Sequence, residues 1–196
     1  EAVTGLSRRE DGLDLTDEAS VARLVGGLEG AFDRVFLATG GLEIAGHGPE
    51  KTVQALEPAA MAAQFALNAI GPALVLKHLM ARLPRGSACR IGVLSARVGS
   101  IGDNRLGGWH SYRAAKAALN QLVHGAAIEL ARRHPAAVLV SLHPGTVATP
   151  LTAAYAGQHP TVAPEVAAGH LIAVLDGLTP AQSGGFFDWR GQEIPW

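Results

Sequence analysis

Short apolar runs alternate with helix-sized segments along almost the whole chain. Five runs have the length and apolar character of β-strands: residues 2–6, 34–38, 90–95, 137–142 and 185–188. Nearly continuous apolar runs predict strands that are covered on both faces, as in a parallel sheet. Parallel neighbours need crossover connections of about ten residues or more, which the intervening segments supply. The pattern therefore predicts one open α/β sheet.

The segments between these runs predict helices, one of them interrupted. Four helices are expected, over residues 18–28 (capped by Thr16 or Asp17), 58–83 (starting after Glu57), 109–133 and 165–177 (opened by Pro164). Gly71-Pro72 lies inside the second helix, and a bend is predicted there because Pro72 has no N–H to donate. The bend either relieves packing in a buried helix or exposes backbone groups near a site.

Composition places the chain among compact globular proteins. Hydrophobic residues make up 48% and charged residues 17% of the 196 residues, which suits a single folded domain. The formal net charge is −1, so neither nucleic acid nor an anionic membrane surface is expected as a partner. Cys89 is the only cysteine. This excludes an internal disulfide and favours a reducing compartment, the cytoplasm.

Two further classes of protein are not expected from the sequence. The apolar stretches are shorter than the roughly 18 residues of a membrane span, so no membrane segment is predicted. The eight histidines are scattered without a His-Glu-x-x-His spacing, and paired cysteines are absent, so no metal site is predicted.

Tyr112 and Lys116 form the most specific local pattern. They are four residues apart in a predicted helix, so their side chains share one helix face. A tyrosine with the usual pKa of about 10 is a poor acid or base at neutral pH, and a nearby positive charge lowers that pKa by favouring the phenolate. The pair therefore predicts general acid/base chemistry by Tyr112. Taken alone, the spacing fits a purely structural pair equally well.

Residues in other predicted elements could form a site together with this pair. Ser95 ends a strand and Asn68 lies in the preceding long helix, and their side chains can bind a substrate carbonyl and a water. Gly145 follows the next strand and permits close approach of the backbone to a flat ligand, while Thr149 adds a hydroxyl. Each feature alone also has an ordinary structural explanation, because Ser and Asn often make local hydrogen bonds.

The order of these features resembles the short-chain dehydrogenase/reductase family. The match comprises, in order, Asn68, Ser95 to Ile101, Tyr112-x-x-x-Lys116 and Pro144-Gly145. The C-factor and sniffer-like carbonyl reductases are especially similar at Gly99-Ser100-Ile101, Asn104, Gly107-Gly108 and Asn120. The resemblance implies a Rossmann-type, doubly wound parallel sheet with helices on both faces. It also implies an oxidoreductase that transfers a hydride between NADP(H) and a carbonyl or alcohol substrate.

The resemblance assigns a role to each matched residue. Tyr112 would protonate the carbonyl oxygen during reduction, and Lys116 would lower the pKa of Tyr112 and hold the nicotinamide ribose. Asn68 would anchor a water in a proton relay, and Ser95 is the candidate for the hydroxyl that binds the substrate carbonyl. The nicotinamide would be flanked by the backbone of Pro144, Gly145 and Val147, with Thr149 near the carboxamide or the pyrophosphate.

At the adenosine end, Arg8 lies where NAD-preferring relatives place an acidic residue on the ribose hydroxyls. Arginine there suits a 2′-phosphate, so NADP is expected rather than NAD. The other interpretation of Arg8 is a solvated turn. Asp14 and Leu15 would lie beside the adenine. Thr39-Gly40 would keep the close-approach glycine of the family's Asn-Ala-Gly segment, although Ala38 replaces its asparagine.

The sequence departs from the family pattern in two more places. Relatives often carry two serines in place of Ser95-Ala96, usually with the second one catalytic, so Ser95 or Ser100 would have to substitute for the hydroxyl missing at Ala96. The family's first strand, glycine-rich turn and helix, whose N-terminus binds the pyrophosphate, have no counterpart after Glu1. We expect about 20–25 further residues before Glu1 in the natural protein, enough for one such unit.

Two alternatives to the oxidoreductase remain at this point. A nucleotide-binding regulatory protein of the same fold with little catalysis is suggested by Ala38 and Ala96, which replace polar groups. The other is a cofactor-free fragment.

Substrate choice would depend on residues 97–111, including Trp109 and His110, and on residues 151–163, including Tyr155, although these segments can equally be loop packing. The resemblance also implies a homodimer or homotetramer that pairs through helices 58–83 and 109–133.

Overall fold

A computed structural model describes residues 2–154 and 160–196. Within these residues, four parallel strands form a sheet in the order β1-β2-β3-β4. The strands are β1 (Arg34–Leu37), β2 (Arg90–Leu94), β3 (Val138–His143) and β4 (Phe186–Asp188). The predicted parallel α/β sheet is confirmed, and these four strands match four of the five predicted runs.

The helices supply the crossovers between the strands. They are α1 (Arg8–Asp11), α2 (Glu18–Gly26), α3 (Pro58–Phe65), α4 (Gly71–Met80), α5 (His110–Arg133), α6 (Pro150–Ala153) and α7 (Pro164–Gly177). A π-helical turn, Ala66–Ile70, joins α3 to α4. Asp17 caps α2, because its side chain accepts a hydrogen bond from the N–H of Ala19.

The predicted strand over residues 2–6 is wrong. Residues 2–5 are exposed and form no regular element, and the chain then enters α1. β1 is the edge strand of the described sheet, and the part of the chain that the structure describes places no strand beside it for residues 2–6 to pair with. An apolar run forms a strand only where a neighbour completes its hydrogen bonds.

The core has one layer on each face of the sheet, as the strand alternation requires. Ile91, Val93 and Leu139 point to the face covered by α2, α4 and α5. Val140 and Leu142 point to the face covered by α7. The doubly wound arrangement follows from this alternation, since each central strand is apolar on both sides.

The helical stretch Pro58–Met80 differs from the expectation that no apolar stretch reaches the length of a membrane span. Its mean hydropathy reaches 1.6, so by length and composition alone it could cross a membrane. A core helix passes the same test, and Leu76 and Leu79 of this stretch are buried against the rest of the protein. Asn68 is completely buried in its middle.

The last residues form the predicted short strand, and an apolar tail that follows it packs on the core. Ile194 is only 1% exposed, and the ring of Trp196 stacks on that of Phe186 at 6.1 Å between centroids. The N–H of Gly102 donates to the carbonyl oxygen of Trp196 at 2.7 Å, so the tail also holds the loop after β2.

Exposed apolar side chains remain on the helices that we expect to form a subunit interface. They are Ile70, Leu122 and Ile128. The oligomeric state stays a prediction.

Replacing Gly92 with alanine should destabilise the sheet. A Cβ at Gly92 would lie 2.8 Å from Cδ1 of Leu142 and 3.1 Å from Cε1 of Phe36, so these side chains on the neighbouring strands would have to move. Overpacking of this kind costs about 1–3 kcal/mol of the free energy of unfolding. Gly125→Ala is the matched control, because nothing lies within 4 Å of its Cβ position in α5 and alanine favours a helix. Urea unfolding of both variants checks the prediction, and equal stability would contradict it.

Candidate active site

Lys116 lies beneath the end of β2, one helical turn after Tyr112. Its side chain is buried, and Nζ donates a hydrogen bond to the carbonyl oxygen of Leu94 at 3.1 Å. Nζ also lies 5.9 Å from the centroid of the Tyr112 ring. The four-residue spacing therefore places both side chains on one face of α5, as predicted, at the carboxyl edge of the sheet.

Burial sets the pKa of both groups. It raises the pKa of Tyr112 to about 12 and lowers that of Lys116 to about 8, because it disfavours the charged form of each side chain. The predicted lowering of the Tyr112 pKa is therefore wrong for the ligand-free protein. The ammonium lies over the face of the Tyr112 ring and donates to the carbonyl of Leu94. Desolvation of the phenol therefore determines the direction of the Tyr112 pKa shift.

Asn68 is held by three hydrogen bonds. Its Oδ1 accepts from the N–H of Gly41 at 3.0 Å, and its Nδ2 donates to the carbonyl of Gly41 at 2.8 Å and to Oε1 of Gln64 at 2.7 Å. This reciprocal pairing joins the segment after β1 to the middle of the long helix. Gly40 lies between Asn68 and Lys116. The position requires a small residue, because a Cβ there would lie 2.8 Å from Oδ1 of Asn68 and 3.3 Å from Nζ of Lys116.

The predicted bend at Gly71-Pro72 takes the form of a π-helical turn. Pro72 has no N–H to donate to the carbonyl oxygen of Asn68, four residues earlier. The turn Ala66–Ile70 widens the helix at this point, and the N–H of Gly71 bonds to the carbonyl of Ala66. Backbone groups near the buried Asn68 are thus released from the regular helix, in a type of turn that is frequent at functional sites.

The candidate hydroxyls differ in their availability. Oγ of Ser95 is buried without a hydrogen-bond partner among the described residues. Ser100 is engaged, because its Oγ donates to the carbonyl of Pro195 at 2.5 Å and accepts from the N–H of Asp103.

The residues predicted to flank a nicotinamide lie in the turn after β3. Gly145 has φ 77°, and a Cβ there would lie 3.1 Å from Cδ1 of Trp189, so the position requires glycine. Pro144 precedes it, and Val147 forms a bridge with Val162. Thr149 is the N-cap of α6, and its Oγ1 lies 3.3 Å from that of Thr152.

A charged cluster ties the loop after β2 to this turn. His143 pairs with Asp188 in the ladder between β3 and β4. Arg97 reaches Oδ2 of Asp188 at 3.3 Å and Oδ2 of Asp103 at 2.9 Å. Burial, with a smaller contribution from Arg97, lowers the pKa of His143 to about 4, so its imidazole is neutral at pH 7.

The residues predicted to contact adenosine lie in α1 and in the segment directly after it. Arg8 is exposed in the first turn of α1, which Ser7 caps. Asp14 accepts hydrogen bonds from the N–H and Oγ1 of Thr16, which lower the pKa of its carboxyl group. Leu15 is buried in the core against Gly71 rather than presented at the surface.

The site fits a dinucleotide at the nicotinamide end. Oγ1 of Thr39, directly before Gly40, is buried without a partner among the described residues and is therefore available to a ligand. Among residues 2–154 and 160–196, no three His, Cys, Asp or Glu side chains are grouped as metal ligands would be.

Trp109 and His110 begin α5 at the rim of the site. The ring of Trp109 meets that of Tyr112 edge to face at 6.3 Å between centroids. Tyr155 lies outside the described residues.

Three contributors to the site were missed by the sequence analysis. Gln64 holds Asn68, and its spacing of four residues on one helix could have identified it. Arg113 donates to the carbonyls of Gly108 and Val98, next to the Tyr-x-x-x-Lys pattern. Glu50 bonds to Ser111 from 61 residues away, and no local signal in the sequence indicates this contact.

Residues 12–159 match the family described as short chain dehydrogenase. The chain belongs to this family. The resemblance to its C-factor-like branch is confirmed by a relative, the C-signal protein of Myxococcus xanthus, which is 40% identical over 137 residues, 69% of this chain and 78% of the relative. The family is one of oxidoreductases, and the Rossmann-type fold is confirmed with it.

Two further proteins extend the comparison. A 1-hydroxy-2-glutathionyl-2-methyl-3-butene dehydrogenase from a Rhodococcus species is 34% identical over 190 residues, covering 95% of this chain and 80% of that protein. The crystal structure of an NADPH-bound carbonyl reductase from chicken fatty liver has a TM-score of 0.74 and 28% identity, over 94% of this chain and 75% of that one.

The stability of the ligand-free protein should rise with pH through the titration of Lys116. The unfolded chain titrates near the ordinary pKa of 10.5 and the folded protein at about 8, so the unfolded chain binds more protons in between. From about pH 7 to about pH 9 this adds about 1 kcal/mol to the free energy of unfolding. Lys116→Met should lack this increment in urea unfolding at the two pH values. An equal rise in both proteins would contradict the assignment.

Proposed function

We propose that this protein is an NADP(H)-dependent oxidoreductase that interconverts a small carbonyl compound and its alcohol. The observation that carries the proposal is an arrangement at the carboxyl edge of a parallel sheet: Gly40 packs between Asn68 and Lys116, and Nζ of Lys116 lies over the ring of Tyr112. Ligands of open α/β sheets bind at this edge. The NADPH-bound carbonyl reductase from chicken and the Rhodococcus dehydrogenase support the same chemistry.

A bound nicotinamide would supply or accept the hydride at the substrate carbon. Tyr112 holds the proton that goes to the carbonyl oxygen when the substrate is reduced. Because burial raises the pKa of Tyr112 to about 12, the phenol is protonated at neutral pH, as a general acid must be. Lys116, with a pKa of about 8, is mostly protonated at pH 7 and would bind the nicotinamide ribose.

Proton supply to Tyr112 would run through Lys116 and the π-helical turn. The side chain of Asn68 is held by Gly41 and Gln64, so its backbone carbonyl, which Pro72 cannot give the usual helical hydrogen bond, is the group suited to hold a water. This changes the expected role of Asn68. Its amide positions the turn, and its carbonyl would bind the water.

The remaining contacts with the cofactor follow the family pattern. Pro144, Gly145 and Val147 would flank the nicotinamide and Thr149 its carboxamide. The exposed guanidinium of Arg8 would pair with a 2′-phosphate, which favours NADP over NAD.

The regulatory alternative has less support. Ala38 and Ala96 favoured it, but Gly40 packs between Asn68 and Lys116, and Nζ of Lys116 lies over the ring of Tyr112. A protein that only bound nucleotide would have no use for an acid/base pair at this position.

Replacing Tyr112 with phenylalanine in the full-length protein should abolish carbonyl reduction. General acid catalysis contributes about 100-fold or more to a rate, and phenylalanine keeps the ring packing without the proton. Oxidation of NADPH with a panel of small aldehydes and ketones measures the effect, and NADPH fluorescence checks that the cofactor still binds. Retained turnover would disprove the role of Tyr112.

Replacing Ala96 with serine should raise kcat about tenfold, because it restores a hydroxyl that can donate to the substrate oxygen. Ser95→Ala is the paired variant. If Ser95 already supplies the hydroxyl, Ser95→Ala lowers kcat by a similar factor and Ala96→Ser changes little, which would refute the prediction for Ala96. Both variants are compared at saturating NADPH.

A further inference from the structure

The first turn of α5, which carries Tyr112, is capped by a side chain from a distant segment. Trp109 precedes the helix with φ 52°, in the left-handed region, and makes no capping hydrogen bond through its side chain. The free N–H groups of the first turn therefore need an acceptor from elsewhere. Glu50 supplies one, because Oε2 accepts from the N–H of Ser111 at 3.1 Å and Oε1 accepts from Oγ of Ser111.

Backbone contacts strengthen this attachment. The N–H of Trp109 donates to the carbonyl oxygen of Glu50 at 2.5 Å. A Cβ on Gly108 would lie 3.5 Å from the same oxygen, so the two segments are already in close contact. The backbone and the side chain of Glu50 thus form hydrogen bonds to two positions at the start of α5, Trp109 and Ser111.

The carboxylate of Glu50 also suits this place electrostatically. A negative charge is favourable at a helix N-terminus. Burial alone would raise the pKa of Glu50, but the hydrogen bonds from Ser111 and the nearby His110 outweigh it, so the pKa lies below its ordinary value. The group is ionised at neutral pH, and its hydrogen bonds to Ser111 are charge-assisted.

The segment that carries Glu50 contacts the site at both ends. At its start, Gly40 and Gly41 touch Asn68 and Lys116. At Glu50 it reaches the residue directly before Tyr112. The same segment therefore sets the position of Asn68 and of Tyr112 relative to one another.

We propose that Glu50 is a positioning residue for Tyr112. Its carboxylate fixes the first turn of α5 and so the phenol oxygen relative to the substrate carbonyl. The inference rests on the proposed oxidoreductase function, since it assigns Tyr112 a proton to deliver. Misplacing a reacting group by a small distance lowers the rate of the chemical step without weakening binding elsewhere.

Steady-state kinetics of Glu50→Ala tests the proposal. We expect kcat to fall about tenfold, while the KM for NADPH stays within about twofold of the wild-type value. Glu50→Gln keeps one acceptor for the N–H of Ser111 and should recover part of the loss. Glu57→Ala is the control, because Glu57 lies on the same segment, is exposed and pairs only with His47 in the part of the chain described. An unchanged kcat in Glu50→Ala overturns the proposal.

A double-mutant cycle with Ser111→Ala separates this role from a general loss of stability. If Ser111 acts on the rate through Glu50, the double variant has the kcat of Glu50→Ala alone. Independent losses that multiply would overturn the proposal. Thermal unfolding of all variants verifies that each is folded at the assay temperature.

A spectroscopic readout keeps the test independent of turnover. The chain has two tyrosines, so 3-fluorotyrosine labelling in a Tyr155→Phe background leaves one fluorine signal, from Tyr112. Glu50→Ala should shift or broaden this signal and Glu57→Ala should not. A signal unmoved by Glu50→Ala overturns the proposal. Absence of any turnover in the wild-type protein would instead refute the proposed function, and the fluorine signal still decides the role of Glu50.

Discussion

A buried ammonium group organises the site. Nζ of Lys116 is removed from water, which is costly unless the charge is hydrogen-bonded, and the carbonyl at the end of β2 provides that bond. Two glycines permit the arrangement. Gly99 packs where a Cβ would lie 2.8 Å from Cβ of Lys116, and Gly40 approaches Nζ in the same way. The end of β2, the loop that follows it and the segment after β1 all converge on this one side chain.

The same burial gives the two titratable groups complementary properties. The phenol of Tyr112 retains its proton, and Lys116 titrates near neutral pH, so a proton can leave one group and be replaced through the other. Desolvation, rather than attraction between the two side chains, produces both effects. A bound cofactor would change the surroundings of the phenol, and with them the balance between desolvation and attraction to the ammonium.

Asn68 has a structural role through its side chain and a proposed chemical role through its backbone carbonyl. Its side-chain amide forms hydrogen bonds with Gly41 and Gln64, and these bonds hold the π-helical turn in the middle of a long helix. At that same place Pro72 cannot give the backbone carbonyl of Asn68 the usual helical hydrogen bond, because it has no N–H. On the far side of the site, Arg97 joins the loop after β2 to Asp188 in the last strand. Both attachments hold polar groups on rigid elements, where small errors of position are least tolerated.

Four of the strands, the long helices with their bend at Pro72, and the shared face of Tyr112 and Lys116 could be predicted from the sequence alone. The spacing of apolar residues, helix capping and the missing N–H of Pro72 are local effects that act over a few residues. The tertiary structure decided the rest. Residues 2–6 form no strand, since a ladder requires a neighbour, and the direction of the Tyr112 pKa shift depends on surroundings that no local pattern specifies. Glu50 reaches Ser111 across 61 residues, and only the folded chain brings such groups together.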